Sequence, residues 1–426
     1  QTTQEALNAA KTFAVEGNKY KTKAYMDMAL EAGIKQVLIY DARIRLLTQC
    51  DVSLVSSSTA PIGVFTEEGH FMGSQIVSSK LNLSANTYNG KAIADILYPF
   101  ATREALKEYI AACLASYMDH EAFFGVFLVD EPKTEMYAQV GLVKQIIKEI
   151  CPDAYTQCPQ LPPVGAISAW ERNMRAYLDA CGGVGNVDEF SYDFYPYTND
   201  TNWWESLLGK EDFIIVPTYI QAMQVAANLA NEYGCIWEMA FQTYKNEHYM
   251  ELNQARVFWQ TSLATSFGVD RLSAYTYAGT SADKPTQYIE NDANLKGWVT
   301  TALGYAQHAT AELTHYSYNA SQTYKASEDF VKNVTKKAFS GNVFTSISST
   351  DDLLVNELVY EDGSKYAYAF VNCTNVIDGN TPITVTVNFA QATTLEFIYN
   401  GVTVQRTFAA GANTFTLNAG EMAIIK

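Results

Sequence analysis

Two neighbouring acids, Asp130 and Glu131, close the apolar run Phe123-Phe124-Gly125-Val126-Phe127-Leu128-Val129, and Pro132 follows them. A near-continuous run of this kind reads as a strand buried on both faces, the pattern of a parallel sheet. In a (β/α)8 barrel the C-terminal ends of such strands carry the groups that do chemistry. A carboxyl held there can give or take a proton, and two adjacent carboxylates resist double ionisation. The same residues also read as strand-end acids that cap the next helix, with Pro132 in its first turn. A further acid, Glu238, sits inside the strand-like stretch Cys235 to Thr243. Strand alternation puts Ile236, Glu238, Ala240 and Gln242 on one face. If that face lines a barrel, Glu238 and Gln242 reach the pocket; otherwise Glu238 is a buried acid paired with Arg256 or Arg271. The next carboxylates to consider are Asp193 and Glu189.

Aromatic residues gather beside these acids. Asp193-Phe194-Tyr195-Pro196-Tyr197 ends one strand, and Tyr275 and Tyr277 alternate at the end of another. Trp203 and Trp204 lie in a polar loop that starts at Thr198. Asp41 and Arg43 end an early strand, where they bind a ligand or each other. The chain has 28 Tyr, 21 Phe and 6 Trp, and Tyr and Trp offer flat apolar faces with a polar edge, which suits sugar rings. Core filling accounts for most of the Phe.

The elements that must position these side chains alternate between helix and strand over the first 320 residues. Lys23 to Ala32 reads as a helix stopped by Gly33, then the strand Lys35 to Tyr40. Residues 51 to 92 are rich in Ser and Gly and fit a long excursion with a hairpin. Helical spacing follows at Thr102 to Tyr117 and Thr134 to Ile150. Short strands are expected at Ala154 to Gln157, Val187 to Tyr197, Cys235 to Thr243 and Arg271 to Tyr277. Between them run helices at Ile220 to Tyr233 and Gln254 to Phe267, closed by Gly234 and Gly268. Repeated strand–helix units imply a parallel sheet with right-handed crossovers. The expected fold is α/β, a (β/α)8 TIM-type barrel over residues 1–318. Only about six strands are convincing, so the first two are either absent from this sequence or irregular. Tyr316 to Ala326 is polar and Tyr-rich, like a linker. Residues 326–426 then show period-2 runs, such as Tyr366 to Asn372 and Ile383 to Phe389, with turns at Asn400-Gly401 and Ala410-Gly411. They predict a C-terminal antiparallel β-sandwich.

Bulk properties narrow the partners. The net charge of -17 excludes nucleic acid, which needs clustered Lys and Arg. No apolar stretch reaches the roughly 18 residues of a membrane span. The seven cysteines form no CxxC pair, the five histidines no HExxH, and no phosphate-binding loop or GxSxG elbow occurs. No metal or cofactor is therefore expected. The chain opens on Gln1 with no signal peptide, which predicts a processed or truncated product. The pI of 4.7 fits an exported bacterial protein, extracellular or at the cell surface.

Four motifs in order resemble the barrel glycoside hydrolases of the large retaining superfamily that includes the family 42 β-galactosidases, in particular its uncharacterised gut-bacterial branch. They are Val129-Asp130-Glu131-Pro132, Asp193-Phe194-Tyr195-Pro196-Tyr197, Trp237-Glu238-Met239-Ala240-Phe241-Gln242 and Arg271-Leu272-Ser273-Ala274-Tyr275-Thr276-Tyr277. The resemblance spans roughly residues 20 to 426, and the C-terminal β-sandwich is typical of it. It implies a glycosidase acting on a carbohydrate without cofactor. Glu131 matches the general acid/base of the Asn-Glu-Pro-like motif that ends the fourth strand, with Asp130 in place of the usual Asn. Glu238 matches the nucleophile that ends the seventh, although it sits early in its strand. Asp130, Asp193, Tyr195, Trp237, Gln242, Tyr275, Tyr277 and Asp41 are the implied sugar-binding residues. The departure at Asp130 keeps open a barrel that binds carbohydrate without cleaving it. Oligomeric state is not legible.

Overall fold

The computed structural model describes residues 22–49, 103–163, 165–198, 216–279 and 284–426, together with five short strands between 61 and 92. The chain divides into two compact units: residues 1–160 with 172–189, and residues 161–171 with 190–426.

In the first unit, three short strands form a sheet in the order β1 (Val37–Ile39), β7 (Phe123–Phe127), β8 (Tyr155–Gln157), all parallel. Helices connect them: α1 (Thr22–Glu31) leads into β1, and α2 (Ala42–Gln49), α3 (Arg103–Leu114) and α4 (Tyr137–Ile150) follow in order. The strands β2 (Pro61–Phe65) and β3 (Phe71–Gln75) pair as the expected hairpin, followed by the small meander β4 (Leu81–Asn82), β5 (Thr87–Tyr88) and β6 (Lys91–Ala92). Gly125 permits the close approach of β7 to β8, because a Cβ there would fall within the backbone of Tyr155. Helix α4 is the expected amphipathic helix; it buries Val140, Val143, Ile146 and Ile147, and it also buries Lys144. Helix α5 (Ile167–Ala180) continues the chain to β9 (Glu189–Asp193).

The second unit contains a sheet in the order β11 (Arg271–Tyr275), β10 (Ile236–Gln242), β9, with β10 and β11 parallel. Helices α6 (Tyr219–Tyr233) and α7 (Gln254–Ser266) flank β10 in sequence, and α8 (Ala293–Glu312) follows β11. The two expected glycine stops hold: Gly234 and Gly268 have φ of 67° and 80°, a region that costs glycine nothing. The described strands that alternate with helices thus give two three-stranded sheets, one in each unit, not one closed eight-stranded sheet.

A β-sandwich completes this unit. Its six-stranded sheet has the order β12 (Tyr316–Tyr324), β14 (Leu353–Tyr360), β15 (Tyr366–Asn372), β20 (Met422–Ile425), β17 (Thr393–Tyr399), β18 (Val402–Phe408). The opposing sheet has the order β13 (Ser346–Ser349), β16 (Ile383–Phe389), β19 (Gly411–Leu417). A four-residue helix, α9 (Asp329–Lys332), precedes β13. The period-2 runs at 366–372 and 383–389 are these strands to the residue, and Asn400 and Gly401, with φ of 50° and 73°, make the tight β17–β18 turn. Residues 316–324, read from sequence as linker, form an edge strand instead. Their polarity has a cause: Asn319 donates to the buried Glu357 carboxylate at 2.7 Å, and Gln322 to the Lys337 carbonyl at 2.8 Å. The central strand β15 is buried on both sides. Tyr368 and Phe370 enter the sandwich core, while Ala367 and Ala369 meet Ala309 and Leu313 of α8. Small residues on that second face are what a helix packed on a sheet requires.

Candidate functional site

In the first unit, β7 ends where its apolar run ends. Leu128 and Val129 are 0% and 2% exposed, and the next two side chains, Asp130 and Glu131, are exposed. Leu128 N–H continues the ladder to the Gln157 carbonyl at 2.9 Å, and Glu131 N–H donates to the Pro159 carbonyl at 2.9 Å. Glu131 has φ of 46°. A left-handed conformation costs an ordinary L-residue about 1–2 kcal/mol, and such strain persists where the surroundings over-determine it, often at functional positions. The turn therefore aims the Glu131 carboxyl outward at an energetic cost.

Asp41 follows β1 and is buried, at 5% exposure. Its carboxylate accepts from the Tyr117 hydroxyl at 2.8 Å, and its carbonyl accepts the Ile44 and Arg45 N–H groups that open α2. Asp41 thus fixes α2 and Tyr117 and does not project as a sugar ligand. The Arg43 side chain and the pair Trp203-Trp204 lie outside the described residues. Glu189, the runner-up carboxylate, is fully buried and ion-paired with Lys144, which also donates to the Tyr177 hydroxyl at 3.0 Å. This is an internal structural pair. Burial disfavours the Lys144 charge, but the Glu189 carboxylate outweighs it and holds the ammonium above its ordinary pKa.

In the second unit, Glu238 is the third residue of β10 and is 4% exposed. Ser273 donates its hydroxyl to the Glu238 carboxylate. The parallel register pairs Glu238 with Arg271, Ala240 with Ser273 and Gln242 with Tyr275. Alternation therefore puts Glu238, Arg271, Ser273 and Tyr275 on one face of the sheet. Arg256, the other cation considered for Glu238, is turned elsewhere: its Nε donates to the Ile377 carbonyl at 2.8 Å and its guanidinium sits 5.3 Å from the Tyr197 ring centre.

Gln242 shares the Glu238 face but is 0% exposed. Its Oε1 accepts from Tyr197 N–H at 3.2 Å and its Nε2 donates to the Tyr244 carbonyl at 3.1 Å. The amide is spent on two loop backbones, so Gln242 positions aromatic residues and does not itself reach a ligand. Trp237 is likewise corrected. It lies on the opposite face of β10, is 1% exposed, and belongs to the buried core. The sequence supplies the alternation but not which face is which.

Four tyrosines form one aromatic cluster. Tyr195 stacks on Tyr275 with centroids 5.7 Å apart and an 18° interplanar angle, and Tyr244 and Tyr249 meet Tyr195 edge-on at 5.5 and 5.7 Å. The Tyr195 hydroxyl bonds Asp193; burial first, then the adjacent carboxylate, push its pKa well above the ordinary phenol value. It is a neutral donor. Tyr277 lies beyond β11 and is 56% exposed. Sequence reasoning missed Ser273, Tyr244 and Tyr249. Ser273 was within reach, two residues before Tyr275 and on its face, whereas the tyrosines sit on a loop whose path no periodicity reports.

No family model matches the chain, and no curated protein matches it. Solved structures similar to it include a glycoside hydrolase family 5 protein from Bacteroides vulgatus, with 10% identity over 96% of this chain and 86% of that one, at a TM-score of 0.46. An α-amylase from Anoxybacillus gives 8% identity over 76% and 62%, at 0.41. A GH27 β-L-arabinopyranosidase from Geobacillus stearothermophilus gives 9% over 76% and 62%, at 0.39. The chain spans about 62% of the length of the last two. Among the described residues, no helix is long and apolar enough to cross a membrane.

Proposed function

We propose that this chain is a glycosidase of the (β/α)8 type that cleaves a glycosidic bond with two carboxylates and retention of configuration. The observation that carries the reading is Glu131, an exposed carboxyl held in a left-handed backbone conformation where a buried strand ends. Glu131 acts as general acid, giving its proton to the leaving oxygen, and then as general base toward water. Glu238 attacks the anomeric carbon and forms the glycosyl-enzyme that water resolves. The Ser273 hydroxyl orients its carboxylate. Asp193, Tyr195 and Tyr275 supply hydrogen-bond partners for sugar hydroxyls and a ring surface, and Asp130 and Tyr277 are further sugar-binding residues. An exported bacterial protein would meet such substrates outside the cell.

The exposure of Glu131 also favours a second reading. An exposed carboxylate can also accept hydrogen bonds from sugar hydroxyls, which is all that a barrel binding carbohydrate without cleaving it requires.

Hydrolysis of a panel of aryl α- and β-glycosides by the wild type and Glu131→Gln separates the two. Turnover that collapses in the variant supports the enzyme and its acid. Binding of the same sugars without turnover in either protein supports the second reading. For Glu238→Ala, azide should restore turnover and release a glycosyl azide of inverted configuration. Release of the retained anomer would reassign the nucleophile.

A further inference from the structure

We infer that Arg45 makes an anion-recognising subsite beside Asp130 and Glu131, so that the substrate carries a carboxylate or sulfate on its sugar ring, as a uronic acid or a sulfated sugar does. The inference rests on the glycosidase reading and names its substrate class.

Arg45 stands in the first turn of α2, just beyond the end of β1. Its guanidinium carbon lies 4.7 Å from the centre of the Tyr40 ring, and that ring lies 6.0 Å from Phe127, the last residue of β7. A cation–π contact of this kind fixes a guanidinium plane without using its N–H donors. Arg45 Nε is buried with no hydrogen-bond partner. A buried donor left unbonded is costly, so its retention calls for an acceptor that arrives from outside. Burial lowers the Arg45 pKa, and the field of Asp130 opposes this. Asp130 thus stabilises the cation at the strand end that also presents Glu131.

The chemistry selects the ligand. A planar guanidinium offers parallel N–H groups that match two oxygens of a carboxylate or sulfate. A neutral hydroxyl would use one donor and none of the charge. The overall charge of -17 does not forbid an anion, since charges more than about 8 Å away are largely screened at physiological salt. Tyr40, 51% exposed beside the cation, offers a ring surface to the sugar that bears the acid.

The test compares aryl glycosides of glucuronic acid, glucose 6-sulfate and glucose, each in both anomers, with the wild type, Arg45→Ala and Arg45→Lys. The expected result is a wild-type preference for one acidic sugar. Its kcat/KM ratio over the neutral sugar should fall about 10- to 100-fold in Arg45→Ala, the range of a lost charge-assisted pair, and by less in Arg45→Lys, which keeps charge but loses the fork. Whichever acid is preferred, carboxylate or sulfate, names the source of the anion. Turnover of the neutral sugar with no acidic preference, or a preference that Arg45→Ala leaves intact, overturns the inference and spares the glycosidase reading. If nothing is turned over, calorimetric titration with methyl glucuronide and with glucose 6-sulfate decides. Binding that disappears in Arg45→Ala keeps the subsite and sinks the glycosidase reading; no binding sinks both.

Discussion

Replacing Glu189 by Gln would remove the counter-charge of an ammonium that has no water to turn to. Lys144 and Glu189 side chains are 3% and 0% exposed, and the Tyr177 hydroxyl at 3.0 Å is the other acceptor of the Lys144 ammonium. Breaking a buried pair from one side costs about 3–5 kcal/mol, because the remaining charge keeps its desolvation penalty. Gln is nearly isosteric and still accepts a hydrogen bond, so the loss should lie near 3 kcal/mol. The pH dependence carries a sign. In the wild type, burial lowers and Glu189 raises the Lys144 pKa, with a net rise above 10.5. A raised base contributes stability that is fully present below its unfolded pKa, so the wild type should show no Lys144-dependent slope between pH 7 and 10. In Glu189→Gln the raising partner is gone and burial remains, so the folded pKa falls below the unfolded one. The unfolded chain then binds more protons, and stability should rise with pH over that interval. The double variant Lys144→Met/Glu189→Leu should recover most of the loss, since a well-packed apolar pair often matches a buried ion pair. Urea denaturation at several pH values measures all three proteins. A loss below about 1 kcal/mol in Glu189→Gln, or a slope equal to that of the wild type, would show that Lys144 does not depend on Glu189 for its charge.

Other perturbations test other parts of the molecule. Glu131→Gly should be more stable than Glu131→Ala by about 1 kcal/mol in the same denaturation assay, because glycine adopts the left-handed region without strain; equal stability would argue against the strained turn. Burial raises the Asp270 pKa, and the Trp237 N–H that donates to it at 2.8 Å only partly offsets this. An acid with a raised folded pKa is penalised above that pKa and relieved as pH falls through it. Asp270→Asn, which keeps an acceptor, should therefore stabilise the protein at pH 7 and lose that advantage toward pH 3, read from thermal unfolding across that range. Gly420 has φ of 74°, and a Cβ there would collide with the Ala255 carbonyl. Gly420→Ala should lower the thermal midpoint, whereas Gly363→Ala, with φ of 73° but open space around it, should lower it less.

What the sequence made legible follows what its periodicities encode. Tyr366 to Asn372 and Ile383 to Phe389 alternate because each has a core-facing side, and their limits could be read directly. Gly234 and Gly268 mark helix ends because the left-handed conformation is cheap only for glycine. Glu131 adopts that conformation without being glycine, so no residue-type signal announces it. The edge strand 316–324 was missed because its exposed side spends Asn319 and Gln322 on loop backbones and a buried acid, which erases the apolar alternation. The pairing of Glu238 with Ser273 depends on parallel register, a property of two strands that neither shows alone.

The same logic bears on where this chain divides. Composition changes near residue 320, and a boundary there gives a barrel and a separate sandwich. The packing argues for a different grouping in the second unit. Ala309 and Leu313 of α8 close one face of the sandwich sheet together with Leu358, Ala367, Ala369, Ile398 and Ile424. Arg256 reaches the Ile377 carbonyl, and Asn356 of β14 donates to the Ser266 hydroxyl at the end of α7 at 2.9 Å. Gln224 of α6 donates to the Tyr318 hydroxyl at 2.6 Å and to the Thr335 carbonyl at 2.8 Å. Each of these polar groups is buried or partly buried, so separating the sandwich would leave unpaired donors on α6 and α7 as well as bare apolar surface on α8. The sandwich therefore serves as the outer wall of the helices that follow β9 and β10. Through α7, whose Gln260 accepts from Gln242 N–H at 3.0 Å, it supports the strand that carries Glu238. An accessory fold by sequence texture is, by packing, part of the scaffold that holds a candidate catalytic carboxylate in place.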